Sequence, residues 1–253
     1  MTRAAAAGQL EVLKKRIALY GGTFDPVHVG HMAVARGLLE LFTLDEVLFI
    51  PAHVAPHKRG AQVSAPRHRY AMLALATQGE RRFRVSTVEL DAPERPYTVE
   101  TLARFCETFG QQARLFFVMG ADSWAEIKTW REWERVLSLT DHIVVTRPGY
   151  ELGTEHVTQA VRERIVDLRG AGRDEAERAL LVESNESRIY LTDAARVDVA
   201  ATTVRRDWQR SETGAEHLRS LVPTPVADYI EKYSLYGETH ERESFNAGNE
   251  QTH

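Results

Sequence analysis

The chain contains very little cysteine, no long apolar run and no excess of positive charge. Its 253 residues include a single cysteine, Cys106, which excludes an intrachain disulfide and, within a helix-like pattern, indicates a packing role. No apolar stretch approaches the roughly 20 residues that cross a bilayer. The alanine-rich start, Met1–Gly8, lacks the apolar core of a signal peptide. We therefore expect a cytoplasmic protein without a membrane partner.

The net charge of the chain is -4, with 27% charged and 43% hydrophobic residues. Because a general nucleic-acid-binding protein usually carries a basic excess, we expect no nucleic-acid partner. The length suits one α/β domain with appendages. We predict an N-terminal extension over residues 1–15, a main domain over 16–236 with an insertion at 168–187, and a polar, disordered tail over 237–253. The sequence leaves open whether the chain forms a homo-oligomer.

Short apolar runs alternate with helical patterns along most of the chain. The predicted strands are Ile17–Tyr20, Val47–Ile50, Phe83–Leu90, Leu115–Met119, His142–Thr146 and Arg188–Leu191. The predicted helices are His31–Phe42, Arg67–Ala76, Val99–Phe109, Trp124–Leu139 (one helix or two), Thr202–Arg210 and Pro225–Tyr233. Continuous apolar strands separated by helices are typical of parallel sheets covered on both faces. We therefore predict a Rossmann-like α/β fold, a doubly wound parallel sheet with a C-terminal helical segment, which binds its ligand beyond the carboxyl ends of the strands.

The most informative segment is Gly21–His31, Gly-Gly-Thr-Phe-Asp-Pro-Val-His-Val-Gly-His, which joins the first predicted strand to the first predicted helix. Unpaired backbone N–H groups and the positive end of the helix dipole attract phosphate at such a junction. Gly21 and Gly22 carry no Cβ and let the backbone approach a ligand. His28 and His31 are three residues apart and face the same side of the first helical turn. Two imidazoles there can stabilise charge that develops during phosphoryl or nucleotidyl transfer.

This segment resembles the His-x-Gly-His signature of a nucleotidyltransferase superfamily. In its longer form it resembles the signature of bacterial nicotinate-nucleotide adenylyltransferases, although Val27 stands where that family usually has a second proline. The resemblance implies an enzyme of NAD biosynthesis that transfers the adenylyl group of ATP to nicotinate mononucleotide, forming nicotinate adenine dinucleotide and pyrophosphate. It also implies that Mg²⁺ accompanies ATP, and that the partners are these small-molecule substrates.

Two later segments resemble the acceptor site of the same family. Tyr97–Leu102 matches Tyr-Thr-x-x-Thr-Leu, and we expect Thr98 to cap the helix that follows. The resemblance implies that the N–H groups at this helix end hold the nicotinate carboxylate. Lys128–Trp133 matches the Trp-containing helix of the family, which assigns Trp130 to stacking on the pyridine ring. Without the family, Trp130 would be interpreted as a core residue.

Several loop residues have two open interpretations. Lys58, in the loop after the second predicted strand, supplies positive charge to the substrates or is simply solvated. Arg147, in an Arg-Pro-Gly turn, meets a phosphate or anchors the turn. Asp122, in Gly-x-Asp-Ser, accepts hydrogen bonds from ribose hydroxyls, caps a helix, or does both. His53 and His57 have the spacing of a metal pair, but no cysteine or carboxylate completes a ligand set, so we predict no resident metal.

The phosphate-binding segment of the family, Ile-Ser-Ser-Thr-x-Ile-Arg, reads Val-Ala-Ala-Thr-Thr-Val-Arg in this chain. Ala200 and Ala201 replace both serines, whereas Thr202, Val204 and Arg205 match the family. Each lost hydroxyl removes a hydrogen bond worth about 0.5–1.5 kcal/mol. Because the backbone donors and the Arg205 guanidinium remain, we expect weaker ATP binding at most.

The resemblance distributes the candidate site residues among three roles. Catalysis is assigned to His28, His31 and Arg205. ATP binding is assigned to Gly21, Gly22, Thr23, Phe24, His28, His31, Gly120, Asp122, Thr202, Val204 and Arg205. Binding of the nicotinate nucleotide is assigned to Lys58, Thr98, Trp130 and Arg147.

Alternative functions differ in the acceptor or in whether there is catalysis at all. An acceptor that carries nicotinamide in place of nicotinate differs only in lacking the carboxylate, and the sequence leaves the choice between the two acceptors open. A phosphopantetheine or cytidylyl acceptor is disfavoured by the segments around Thr98 and Trp130. A non-catalytic nucleotide-binding module is motivated by Ala200 and Ala201. A Walker-type kinase is disfavoured because no Gly-Lys-Ser/Thr follows the glycines.

Overall fold

The computed structural model describes residues 14–53, 63–146, 152–182, 184, 186–194, 201–210 and 219–236. Within these ranges the strands are β1 Lys15–Gly22, β2 Glu46–Pro51, β3 Phe83–Val85, β4 Ala113–Gly120, β5 Asp141–Val145, β6 Ile165–Asp167 and β7 Ile189–Thr192. The helices are α1 Val29–Leu41, α2 Pro66–Thr77, α3 Thr98–Phe109, α4 Ala121–Ala125, α5 Trp133–Leu139, α6 Gln159–Arg162, α7 Arg173–Leu181, α8 Ala201–Arg210 and α9 Thr224–Lys232. Single 3₁₀ turns lie at Gly110–Gln112 and Ile127–Thr129.

The strands form one parallel sheet in the order β3-β2-β1-β4-β5-β7-β6. Leu19 of β1 aligns with Leu48 of β2 on one side and with Phe117 of β4 on the other. The chain therefore places β2 and β3 on one side of β1, and then returns to place β4 on the other side. A crevice for ligands opens at the carboxyl ends of two strands related in this way. The predicted Rossmann-like α/β fold is confirmed.

Each face of the sheet carries its own hydrophobic core. Ala18 of β1 packs in the first core and the next residue, Leu19, packs in the second, because successive strand side chains point to opposite faces. Helices α1, α2 and α9 cover the first core, and α3 and α5 cover the second. Strands buried on both faces need apolar residues at every position, which explains the continuous apolar runs of the sequence.

The third strand ends at Val85, whereas the sequence predicted a strand over Phe83–Leu90. The Ser86 N–H donates the last hydrogen bond between this segment and β2, at the Phe49 carbonyl (2.8 Å). The next donor along this side of β2 would be Pro51, whose nitrogen carries no hydrogen. The prediction was wrong because the ladder stops there and the following residues leave the sheet.

The predicted helix Trp124–Leu139 is interrupted. Its residues form the end of α4, the second 3₁₀ turn and α5, and Glu132 adopts a left-handed φ of 51° just before α5. The chain therefore has two short helices here, one of the two outcomes that the sequence allowed.

The charged region after β5 contains three elements that the sequence pattern did not assign, α6, β6 and α7. β6 pairs with β7 at the edge of the sheet, and α7 is the crossover between them. α7 lies in the predicted insertion, yet Ala176 and Leu180 pack in the first core. Glu177 accepts two hydrogen bonds from the Arg16 guanidinium of β1, both 2.9 Å long. The sequence pattern does not reveal β6 and α6 because they have only 3 and 4 residues, too few to show a period.

The predicted tail over 237–253 lies outside the described residues, as does the predicted N-terminal extension up to residue 13; Lys15 already belongs to β1. Over the part of the chain that is described, no helix is both long and apolar enough to cross a bilayer. Cys106 is half-buried beside the second core, and its Sγ donates to the Leu139 carbonyl (3.4 Å), in keeping with a packing role.

Candidate active site

A cavity of about 620 Å³ opens at the carboxyl edge of the sheet, beyond β1, β2, β4 and β5. This volume is typical of sites for small molecules. Its walls include these predicted site residues: Gly21, Gly22, Thr23, His28, His31, Thr98, Gly120, Asp122 and Trp130. The fold therefore brings the segment Gly21–His31 into one site with three segments that are distant in the sequence.

His31 lies in the first turn of α1, and its neighbours fix its orientation. Its Nδ1 accepts a hydrogen bond from the His28 backbone N–H (3.2 Å). Because an accepting ring nitrogen carries no proton, the neutral ring carries its hydrogen on Nε2. The Phe24 ring stands edge-on to the imidazole, with 5.0 Å between the ring centroids. His31 is therefore held in the tautomer that offers Nε2 as a donor.

His28 is the N-cap of α1 and is only 5% exposed. Its ring stacks on that of His31, with 3.6 Å between centroids and 29° between planes. The two imidazoles therefore lie side by side, as their spacing of three residues predicts. Both stand beside the first N–H groups of α1, where the partial positive charge of a helix terminus attracts an anion.

Gly22 is required by the packing of Phe24 as well as by access for a ligand. A Cβ at Gly22 would lie 2.9 Å from the Cζ atom of Phe24. Phe24 has a left-handed φ of 49° and is 1% exposed, so its ring belongs to the core and does not line the cavity. Predicted among the ATP-binding residues, Phe24 can reach a ligand only through its backbone.

Arg69 of α2 is a buried arginine that sequence reasoning missed, and it is 1% exposed. Its guanidinium donates to three backbone carbonyls, those of Thr23 (2.9 Å), His53 (3.0 Å) and Ser64 (3.1 Å). Thr23 and His53 both line the cavity. Burial lowers the pKa of Arg69 from its ordinary value. Arg69 thus joins the end of β1 to the chain that follows β2 and to the chain that precedes α2.

Glu89, also missed, holds the backbone N–H of His53, the residue whose carbonyl Arg69 holds. Its carboxylate accepts hydrogen bonds from the His53 N–H (3.3 Å) and from the Thr101 hydroxyl of α3 (2.9 Å). Burial raises the pKa of Glu89, against the opposing effect of these hydrogen bonds. The backbone of His53 is therefore held at its carbonyl by Arg69 and at its N–H by Glu89. The strand wrongly predicted over residues 83–90 concealed this role.

Asp25 connects the signature loop to the C-terminal part of the described chain. One carboxylate oxygen accepts from the Ser64 N–H (3.0 Å) and the other from the Tyr236 hydroxyl (2.5 Å). The Asp25 carbonyl accepts from Nη1 of Arg205 in α8 (2.5 Å). Burial, followed by the Asp25 carboxylate, raises the pKa of Tyr236, so its hydroxyl stays a donor. Arg205 is thus brought to the signature loop but not to the described wall of the cavity.

The two segments predicted to bind the acceptor both line the cavity, and the structure corrects one detail in each. Tyr97, not Thr98, is the N-cap of α3, and its N–H donates to the Glu100 carboxylate (2.8 Å). Thr98 is the first residue of the helix. Trp130 has an extended backbone between the second 3₁₀ turn and α5, so it does not lie in a helix. Its half-buried ring meets Phe117 edge-on, with 6.3 Å between centroids.

Gly120 is the N-cap of α4, so of the two interpretations left open for Asp122 the structure does not show the capping one. Asp122 is exposed on the cavity wall, where its carboxylate can face a ligand. In α8, Thr202 is exposed, whereas Val204 is 0% exposed and packs in the first core. Val204 therefore cannot offer its side chain to ATP.

The remaining predicted residues Lys58, Arg147 and Ala200, together with His57, lie outside the described residues. In the part of the chain that is described, no three His, Cys, Asp or Glu side chains meet in a group that could hold a metal ion.

Comparison with known proteins places the chain in a family. The cytidylyltransferase-like family model matches residues 19–207. A Desulfatibacillum aliphaticivorans protein named "Probable nicotinate-nucleotide adenylyltransferase" is 34% identical over 223 residues, which is 87% of this chain and 99% of that protein. The chain belongs to the nicotinate-nucleotide adenylyltransferase family. A Symbiobacterium thermophilum member of the same name is 36% identical over 230 residues (89% of this chain, 98% of that protein), and a Mycobacterium tuberculosis member is 36% identical over 220 residues (87% and 91%).

Solved structures show the same fold. The Plasmodium falciparum nicotinic acid mononucleotide adenylyltransferase complexed with NaAD superposes with a TM-score of 0.63 at 17% identity, covering 88% of this chain and 97% of that chain. The same enzyme complexed with APC gives a TM-score of 0.62 over the same shares. These structures support the fold, while the family model and the relatives of 34–36% identity confirm the family membership predicted from Gly21–His31 and the later segments.

Proposed function

We propose that this protein transfers the adenylyl group of ATP to nicotinate mononucleotide, releasing pyrophosphate and forming nicotinate adenine dinucleotide for NAD biosynthesis. The observation that carries the proposal is the stacked pair His28 and His31, which stands at the start of α1 on the wall of a nucleotide-sized cavity. The single cysteine suits a cytoplasmic enzyme. Its partners are the two small-molecule substrates.

The two ends of the cavity have separate tasks in this proposal. The phosphate end comprises Gly21, Gly22, Thr23, His28 and His31. The ring end comprises Tyr97, Thr98, Trp130 and Arg131. Asp122, in the first turn of α4 directly after β4, also lines the cavity, and its exposed carboxylate would accept hydrogen bonds from ribose hydroxyls.

The reaction needs positioning and charge stabilisation more than proton transfer. An oxygen of the acceptor phosphate bonds to the α-phosphorus of ATP, and the bond from that phosphorus to the bridging α,β-oxygen breaks. Pyrophosphate leaves with the electron pair. A phosphate monoester is already an anion at neutral pH, since its second pKa is about 6, so no general base is required. Catalysis then consists of in-line alignment and stabilisation of the developing negative charge.

His31 would supply that stabilisation through Nε2–H, because its Nδ1 is committed to the His28 N–H. His28, stacked on it, would act on the neighbouring phosphate oxygens. The first N–H groups of α1 add fixed partial positive charge at the same place. The Arg205 guanidinium, held at the Asp25 carbonyl, would receive the departing pyrophosphate.

Magnesium enters as part of the substrate, Mg²⁺-ATP. The Asp25 carboxylate does not suit a magnesium ligand, because both of its oxygens already accept hydrogen bonds from Ser64 and Tyr236. Phosphate oxygens and water would form the coordination shell, which is common for this ion.

At the ring end, Trp130 would stack on the pyridine ring and the first N–H groups of α3 would meet its carboxylate. Lys58 and Arg147 would add positive charge around the nucleotide.

The test is pyrophosphate release from ATP and Mg²⁺ with nicotinate mononucleotide. Turnover in the wild-type protein that is lost in His31→Ala supports the proposal. His31→Gln is the matched variant, since its side-chain amide keeps an N–H donor near the position of Nε2 and should retain part of the rate. ATP binding without turnover would favour the non-catalytic module that Ala200 and Ala201 motivate.

A further inference from the structure

Arg131 lines the ring end of the cavity, where its guanidinium stacks on an aromatic ring. It follows Trp130 directly, and its guanidinium carbon lies 4.6 Å from the centre of the Tyr97 ring. Tyr97 is the N-cap of α3, and both residues line the cavity. A guanidinium stacked on an aromatic face loses less conformational freedom when it binds a ligand than one that extends freely into water. The stack therefore holds Arg131 over the first turn of α3.

The hydrogen-bond donors of Arg131 are unused within the described part of the chain. Its closest carboxylate oxygen, Oε1 of Glu132, lies 3.9 Å from Nε, which is too far for a hydrogen bond. The other Glu132 oxygen lies 2.9 Å from Nη1 of Arg135, which is the stronger partner of that carboxylate. By contrast, the Arg16 guanidinium donates two hydrogen bonds to Glu177.

Arg131 differs in charge from the other ionised side chains of the cavity wall. Among the described lining residues, Arg131 is the one lysine or arginine, while Glu89, Asp122 and Glu126 are acidic. An acceptor with a carboxylate on its ring is repelled by these three carboxylates, because like charges repel. Arg131 stands where it can offset that repulsion, with five N–H donors in the planar arrangement that matches a carboxylate.

We propose that Arg131 is a specificity-determining residue whose guanidinium binds the carboxylate of the nicotinate ring and so selects the acid over the amide. The inference rests on the proposed function and deepens it. The amide of nicotinamide mononucleotide is neutral and gains little from a guanidinium. The N-terminal end of α3, which begins at Thr98, acts in the same direction because it also attracts an anion.

The experiment measures kcat/KM for nicotinate mononucleotide and for nicotinamide mononucleotide at saturating Mg²⁺-ATP, and takes their ratio. Arg131→Met removes the charge and the donors but keeps a long side chain over Tyr97. We expect the ratio to fall about tenfold, while kcat/KM for the amide changes less than about twofold. Arg131→Lys keeps the charge without the planar donors, so its ratio should lie between those of Arg131→Met and the wild type.

Arg135→Met is the matched control, because Arg135 is as exposed as Arg131 and approaches the same Glu132 but does not line the cavity. Its ratio should equal that of the wild type. A ratio unchanged in Arg131→Met, or equal losses for both acceptors, would overturn the inference. A wild-type protein that turns over neither acceptor would contradict the proposed function instead. In that case the ratio of dissociation constants for the two mononucleotides, measured by calorimetry on the same variants, tests Arg131 by itself.

Discussion

The phosphate end of the cavity is held by buried hydrogen bonds, whereas the ring end is half open to solvent. His28 is 5% exposed, and Arg69, which donates to the Thr23 carbonyl, is 1% exposed. At the ring end Tyr97 is 43% exposed, and its partner Arg131 has 54% of its side chain exposed. Donors that stabilise developing charge must be fixed before the reaction, because reorganising them at that moment adds to the barrier.

Contacts to the ring need not be fixed in this way, since the ring does not change between the bound substrate and the transition state and its contacts are equally strong in both. Such uniform binding lowers KM without raising kcat. We therefore expect substitutions at the phosphate end to lower kcat, and substitutions at the ring end to raise KM for the acceptor or alter acceptor choice.

The largest effect is expected for His31→Ala, which removes a preorganised donor. Loss of one such donor typically lowers kcat by about 10²–10³-fold, and KM for nicotinate mononucleotide should change less than about threefold. Steady-state kinetics with both substrates varied measures the two constants. A raised KM with unchanged kcat would assign His31 to binding alone and remove the distinction between the two ends.

Arg69→Met tests whether the phosphate end depends on its buried support. It leaves the carbonyls of Thr23, His53 and Ser64 without their guanidinium donor, so we expect a loss of about 3 kcal/mol in the free energy of unfolding. Urea unfolding followed by tryptophan fluorescence measures it. Arg36→Met is the control, because Arg36 is exposed and pairs with Glu80 on the surface, and it should cost less than about 1 kcal/mol. Equal losses in the two variants would contradict a supporting role for Arg69.

Trp130→Ala should act on the ring end alone. Stacking of a base on an aromatic side chain is worth about 1–3 kcal/mol, so we expect KM for the acceptor to rise about tenfold or more, with kcat and KM for ATP nearly unchanged. Trp133→Phe provides the comparison, since Trp133 packs beside the second core and does not line the cavity. A large loss of kcat in Trp130→Ala would show that the ends are not separate.

The effect that is smallest at neutral pH concerns His142, which lies behind Phe117 with 5.9 Å between ring centroids and is 0% exposed. Burial lowers the pKa of His142 from 6.5 to about 3. The unfolded chain therefore binds this proton more tightly than the folded chain, and stability falls as the pH drops from about 6.5 towards 3. The contribution is at most about 1.4 kcal/mol per pH unit. His142→Asn, which keeps a donor for the Thr140 carbonyl, should lose stability less steeply over this range in urea unfolding at several pH values. An identical slope in both proteins would refute a neutral buried His142.

Much of the fold and the centre of the site could be predicted from the sequence, because their signals are local. Runs such as that of β4 reveal a strand buried on both faces, and Gly21–His31 carries both turn and helix start in one segment. The predictions were less accurate at helix ends. The cap of α3 is one residue earlier than the predicted Thr98, and Trp130 lies between two helical elements and not within a helix. Which of two neighbouring residues caps a helix depends on hydrogen bonds such as that between Tyr97 and Glu100, and the pattern alone does not rank them.

The residues that sequence reasoning missed are those whose partners are distant in the chain. Arg69 is a charged residue in a helix, which a hydrophobic pattern treats as solvated, yet its partners Thr23 and His53 are 46 and 16 residues away. The sequence pattern assigned Glu89 to the third strand, but that strand ends at Val85 because Pro51 of the neighbouring β2 has no N–H to continue the pairing. Both need the tertiary structure to be recognised, because burying a charge is tolerated only where hydrogen bonds compensate for the lost hydration.

The division between the two ends is tested most directly by a double-mutant cycle in kcat/KM for nicotinate mononucleotide, using His31→Ala, Trp130→Ala and the double variant. If the phosphate end and the ring end act independently, the fold-losses multiply to within about twofold, as they do for residues without shared partners. A double variant no worse than His31→Ala alone would contradict this account, because the two residues would then act as one unit.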